Sequence, residues 1–266
     1  MDEPVIAIKN ITKRFGDRVI FDGLSLDIYR GQTLVIMGGS GSGKSTLLRA
    51  MMGQVPLDGG EIIANGRSIS FMTGQELMDW RKSVGFLFQS GALFNSMTVA
   101  DNLALPMREH SDLPESTIQI MVKIYLQMVG LRRHLNKMPA ELSGGMKKRA
   151  GLARALMMQP QIFFYDEPTA GLDPVSSAQI DTLISDLHSK LRVTSVVVTH
   201  EIKSAFRVAD RMALLHRGRF VVVGGPQEFR SSKDPLIRQF IDGLSVGPLS
   251  DPRGHEDYEK DILQLG

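Results

Sequence analysis

The sequence predicts an α/β fold, a parallel sheet flanked by helices, with a mostly helical insert in its middle. Three observations predict it. Short β-branched runs alternate with helix-period stretches toward both ends of the chain, the pattern of strand–helix–strand units. One of these runs breaks into a glycine cluster and then into good helix formers. Between residues 99 and 158 the helical signal dominates.

The elements follow in order. Residues 5–11 are apolar and β-branched, and 19–28 alternate loosely around Ile20, Leu24, Leu26 and Ile28; turn signals stand at Gly16-Asp17 and Asp22-Gly23. The spacing predicts a strand in each. Residues 33–37 form a continuous apolar run, as a buried strand does. Leu47, Leu48, Arg49, Ala50 and Met51 predict a helix over 44–52. Residues 61–64, between Asp58-Gly59-Gly60 and Asn65-Gly66, read as a strand between turns, and 84–88 as another. Leu113-Pro114-Glu115 opens a helix whose apolar residues (Ile118, Met121, Val122, Tyr125, Leu126, Val129) recur near every 3.6 positions until Gly130 stops it. A second helix follows Leu142-Ser143-Gly144-Gly145. Strand–helix alternation returns with strands at 162–165 and 195–199 and helices at 175–191 and 202–209.

Composition sets limits. The 266 residues are 42% apolar and 23% charged. That is a soluble globular balance, with ample chain for a core. The net charge of +2 argues against the concentrated basic surface that nucleic acid requires. Without cysteine there is neither a disulfide scaffold nor thiol chemistry. Met1-Asp2-Glu3-Pro4 lacks the basic and apolar regions of a signal peptide. No apolar run approaches the length of a membrane-spanning helix. Any work at a membrane is expected to go through a partner.

Two motifs carry chemistry. Gly38-Gly39-Ser40-Gly41-Ser42-Gly43-Lys44-Ser45 fits G-x-x-x-x-G-K-[ST], the phosphate-binding P-loop. Glycines let the backbone N–H groups turn inward on phosphate oxygens, and the helix that follows adds unpaired N-terminal donors. Lys44 would neutralise the β- and γ-phosphates, and the Ser45 hydroxyl would ligate Mg²⁺. The apolar strand over 162–165 then ends in Asp166-Glu167. Alone, that pair is an ordinary strand-end turn. After a P-loop, Asp166 is expected to hold Mg²⁺ and Glu167 to polarise the attacking water as a general base.

The order of these motifs resembles the nucleotide-binding subunit of ABC transporters, from Ile6 to about Gly243. Leu142-Ser143-Gly144-Gly145-Met146 looks like the family signature L-S-G-G-Q, departing from it at Met146. The resemblance implies the ABC ATPase fold: a P-loop NTPase (RecA-like) core, an antiparallel β subdomain, and a helical subdomain inserted at about 90–158, together over 1–247. A C-terminal extension, 248–266, would reach across to the neighbouring ATPase. ATP and Mg²⁺ are the implied cofactors. Phe15 would stack on adenine, with Gly38, Gly39, Ser40, Gly41, Ser42, Gly43, Lys44, Ser45 and Thr46 around the phosphates. Ser143, Gly144 and Gly145 would meet the γ-phosphate held by the opposite subunit, and Asp173 lies in the loop that crosses that interface. Gln89 would approach Mg²⁺ and the attacking water, and link the site to the membrane partner. His200 would contact the γ-phosphate. The implied catalytic set is thus Glu167, His200, Lys44 and Gln89, and the implied metal set Ser45, Gln89 and Asp166.

Two further stretches resemble the Mla/Mce-associated ATPases, which move phospholipids between bacterial membranes. One runs from Phe88 to Val99 and on through Leu105-Pro106-Met107-Arg108-Glu109. The other is Arg238-Gln239-Phe240-Ile241-Asp242-Gly243 with Gly247-Pro248. The expectation is an ATP-hydrolysing subunit at the cytoplasmic face of the inner membrane, peripheral, driving phospholipid transport that maintains outer-membrane lipid asymmetry. Its implied partners are a second copy of itself, an integral membrane permease and an Mce-domain subunit, with room for a small STAS-type regulatory subunit and no role for nucleic acid. The alternatives are an importer ATPase for another solute and a soluble ABC protein outside transport.

Overall fold

The computed structural model describes residues 3–249, so the expected extension lies, beyond Leu249, outside the described residues. The chain opens with β1 (Ile6–Phe15) and β2 (Arg18–Ile28), antiparallel about the Gly16-Asp17 turn. β1 runs past the expected end at residue 11, because Arg14 and Phe15 still pair with Val19 and Arg18. β3 (Thr33–Met37) leads through the glycine loop into α1 (Lys44–Met51). β4 (Gly59–Ala64) and β5 (Arg67–Ser68) meet at Asn65-Gly66, both at positive φ as a tight hairpin turn needs. α2 (Gly74–Lys82) begins at a capping box of Thr73 and Glu76, a T-x-x-E signal that the apolar periodicity alone passes over. β6 (Val84–Leu87) follows.

Three helices come next: α3 (Val99–His110), α4 (Glu115–Met128) and α5 (Gly144–Leu156). They pack on one another around Leu103, Val122, Leu126 and Ala153. The chain then alternates through β7 (Ile162–Asp166), α6 (Pro174–Leu191), β8 (Thr194–Thr199) and α7 (Ile202–Val208). It closes with β9 (Arg211–His216), β10 (Arg219–Gly224), α8 (Pro226–Ser231) and α9 (Pro235–Asp242).

Two sheets result. One is antiparallel, in the order β2-β1-β4-β5; the other has six strands, in the order β10-β9-β3-β8-β7-β6. In the larger sheet β6, β7, β8, β3 and β9 are parallel, and β10 adds an antiparallel edge. Strand alternation divides its two faces cleanly. Leu34, Ile36, Phe164 and Val198 face the antiparallel sheet and α1. Val35, Met37, Phe163, Tyr165 and Val197 face α6, α7 and the C-terminal helices. Both faces are covered, which explains why β3, β7 and β8 are buried along their whole length and apolar at most positions. Parallel strands end together. The glycine loop after β3, Asp166 at the end of β7, His200 just past β8 and Gln89 just past β6 therefore meet at one edge, where open α/β sheets bind ligands.

Candidate functional site

A cleft of about 580 Å³ opens at that edge. It is lined by Phe15, Ser40–Thr46, Gln89, Glu167 and His200, together with Arg18 and Ile20. Its floor is the glycine loop. Gly43 sits at φ 101°, and a Cβ there would meet Ile20 at 2.8 Å. Only glycine therefore lets the loop turn tightly into α1. Lys44 is 6% exposed. Its ammonium donates to the carbonyls of Gly38 (2.9 Å) and Gly39 (3.0 Å), which hold it across the loop. Burial pulls its pKa below the ordinary lysine value, while Glu167 and then Asp166 pull it back up.

Two carboxylates follow at the end of β7, and the second of them, Glu167, lines the cleft. The Ser45 hydroxyl donates to Asp166 Oδ1 at 2.6 Å, joining the first turn of α1 to the end of β7. A hydroxyl and a carboxylate oxygen converging at a phosphate-binding loop are the hard oxygen donors that Mg²⁺ prefers, so the residues fit that ion. Glu167 stands one residue further, at φ 50°. A non-glycine residue seldom adopts that conformation. Its N–H donates to Val198 O (2.9 Å). Its carboxylate lies 3.7 Å from the Lys44 ammonium and 2.9 Å from His200 Nδ1, and accepts from the His200 N–H at 3.3 Å. It is thus gripped from two directions with little exposure.

The remaining expected residues fall into two groups. Phe15, at the end of β1, is 53% exposed at the cleft rim, with the Lys13 ammonium over its ring, and so is not a core phenylalanine. Gln89 is exposed on the cleft wall. Ser143, Gly144, Gly145 and Asp173 do not line this cleft. Ser143 caps α5, accepting from Met146 N at 3.3 Å, and Gly145 packs so closely on Ser176 that a Cβ would sit 3.0 Å from its Oγ. Asp173 caps α6 through bonds from Val175 N and Ser176 N, and hydrogen bonding from the Ser176 side chain, then from the Ser176 backbone, holds its carboxyl below the ordinary range.

Sequence reasoning passed over three residues. Arg18 donates to Gly41 O at 2.8 Å and pairs across the hairpin with Phe15, so the turn signal at Gly16-Asp17 pointed to it. Ile20 lies beneath Gly43. Lys148 is a buried lysine on the inward face of α5, at helical spacing from Gly145 and Leu152, which is where a charge stands out. A larger cleft, about 740 Å³, lies elsewhere against Arg30, Tyr125, Gln159 and Arg192; no P-loop residue lines it.

Residues 21–170 match the family described as ABC transporter. The intermembrane phospholipid transport system ATP-binding protein MlaF of Haemophilus influenzae is 40% identical over 264 residues, 99% of this chain and 100% of that protein. The probable ribonucleotide transport ATP-binding protein mkl of Mycobacterium leprae is 43% identical over 244 residues, 92% of this chain and 70% of that protein. Among solved structures, the ATP-binding cassette MJ0796, in a dimeric post-hydrolysis state bound to ADP and Pi, superposes with a TM-score of 0.77 at 30% identity, covering 83% of this chain and 98% of that one. The family match over residues 21–170, and a relative 40% identical over 99% of the chain, identify this chain, with its P-loop, strand-end Asp-Glu pair and L-S-G-G helix, as a member of the ABC transporter family.

Proposed function

We propose that this chain is the ATP-hydrolysing subunit of a transporter that moves phospholipid between the inner and outer membranes, and so maintains outer-membrane lipid asymmetry. The carrying observation is the Glu167 carboxylate, held between Lys44 and His200 in one cleft with the P-loop. Loop N–H groups and Lys44 bind the phosphates. Phe15 stacks on the base. Glu167 accepts a proton from the attacking water, and His200 holds its carboxylate in line. Ser45 and Asp166, with Gln89 beside them, would hold Mg²⁺, which neutralises phosphate charge when bound.

Ser143, Gly144, Gly145 and Asp173 have no part in their own chain's cleft, and under this reading they complete the cleft of a second copy, head to tail. Residues 1–247 form the ATP-binding domain, with its helical part at about 90–158, and 248–266 extend from it. No helix among the described residues is long and apolar enough to cross a membrane. Attachment at the cytoplasmic face of the inner membrane therefore falls to an integral permease, in an assembly with an Mce-domain subunit. The phospholipid cargo rests on the resemblance to MlaF.

The chemistry is tested by Glu167→Gln. Phosphate release should fall by at least about 100-fold, the scale of a lost general base, while ATP binding persists and light scattering finds an ATP-dependent dimer. Wild-type turnover in this variant would remove Glu167 from the role. The cargo is tested by mild-detergent capture from native membranes, with mass spectrometry of proteins and lipids. A permease, an Mce-type subunit and bound phospholipid support the reading. A permease carrying a different solute, as the name of the mkl relative implies for that protein, would retain the ATPase and discard the lipid.

A further inference from the structure

Lys148 is buried, yet no part of the chemistry above uses it. It lies on α5, one helical turn after Gly145 and on the same inward face. It is 4% exposed, and its ammonium donates to the backbone carbonyls of Glu167 (3.2 Å) and Ala170 (2.6 Å). Both acceptors belong to the turn that carries the general base. That turn holds Glu167 at φ 50°. Such a conformation persists only where the surroundings fix it. Its backbone is also tied by Glu167 N to Val198 O, Ala170 N to Glu167 O and Leu172 N to Thr169 O, and the Glu167 carboxylate by Lys44 and His200.

A buried ammonium is costly to desolvate, and an apolar side chain of the same length would fill the space without that cost. Packing therefore does not account for a lysine here, whereas the need to grip two carbonyls does. We propose that Lys148 is a positioning residue: it fastens the signature helix of each chain to the turn bearing that chain's own Glu167. The inference rests on the reading of Glu167 given above. Ser143 and the backbone N–H groups at the head of the same helix face the partner's nucleotide under that reading. A displacement of α5 on contact with one nucleotide is then passed by Lys148 to the base acting on the other.

The test compares Lys148→Met and Lys148→Arg in the full chain, with Glu167→Gln as reference. Lys148→Met should lower kcat about ten-fold or more with KM for ATP within about two-fold, since the phosphate cradle is untouched. Its Hill coefficient for ATP should fall toward about 1, because the link between sites is cut. Lys148→Arg, which keeps a charged donor, should recover most of both. Wild-type kcat and cooperativity in Lys148→Met overturn the proposal. So does an equal loss in both variants that follows a lowered Tm, because the residue would then be structural. If wild-type protein hydrolyses ATP and Glu167→Gln does not, the reading of the site stands whatever Lys148 does.

Discussion

Glu167 is a strained residue held in place by its neighbours, and other side chains here are shaped by their contacts in the same way. Arg108 on α3 forks onto Glu115 of α4 through Nε (3.0 Å) and Nη2 (2.6 Å), and reaches Asp101 at 3.2 Å. This pairing, helped by Gln119, pulls the Glu115 pKa from 4.5 down to about 2. A carboxyl depressed in the folded state stabilises fully above its unfolded value and loses that contribution as pH falls through the folded one. The tie between α3 and α4 should therefore be intact above about pH 4.5 and fade toward about pH 2. The pair is exposed, so the effect is small. In paired thermal melts Arg108→Met should be slightly less stable near neutrality, and the gap should close with acid. A constant gap would mean that Arg108 acts by packing alone. The placement of Asp166 and Glu167 beside the P-loop was legible in sequence because an apolar strand ending in two acids follows that loop. The grip of His200 on Glu167 was not, since 33 residues separate them and only strand order brings them together.

At the scale of the element, α5 is tied to two loops of the site, the turn bearing Glu167 and the loop after β6. Gly151 allows it to lie against the loop after β6: a Cβ there would come within 2.6 Å of Gly91 O and 3.1 Å of Gly91 Cα. Arg154 binds the same loop, donating to Ala92 O at 2.8 Å. Alanine in place of a mid-helix glycine ordinarily gains about 1 kcal/mol. Here it must push backbone apart, and overpacking costs about 1–3 kcal/mol, so Gly151→Ala should be net destabilising. Denaturant unfolding reads the sign, and a stabilised variant would mean that the contact is slack. Helices with strong apolar period, such as α4 and α6, were legible to within a few residues at their ends. α2 was not, because its only buried hydrophobic residue is Trp80 and its start lies in a cap. β9 and β10 were passed over too, though β9 holds a buried apolar run, because its place beside β3 is a long-range pairing that local pattern does not express.

The whole molecule follows from two periodicities and one loop. Strand alternation builds two faces on a parallel sheet, the faces require helices and a second sheet, and the glycine loop fixes which edge is active. That much is written in the order of motifs. The packing of the antiparallel sheet against the core is not, because it depends on which side of each strand is apolar once register is set. One consequence concerns inheritance. The signature residues stand outside their own chain's cleft, so under the dimer reading a subunit damaged there keeps a sound cleft of its own and spoils its neighbour's. A damaged gene expressed beside an intact one would then poison mixed assemblies, and the defect would be dominant rather than recessive.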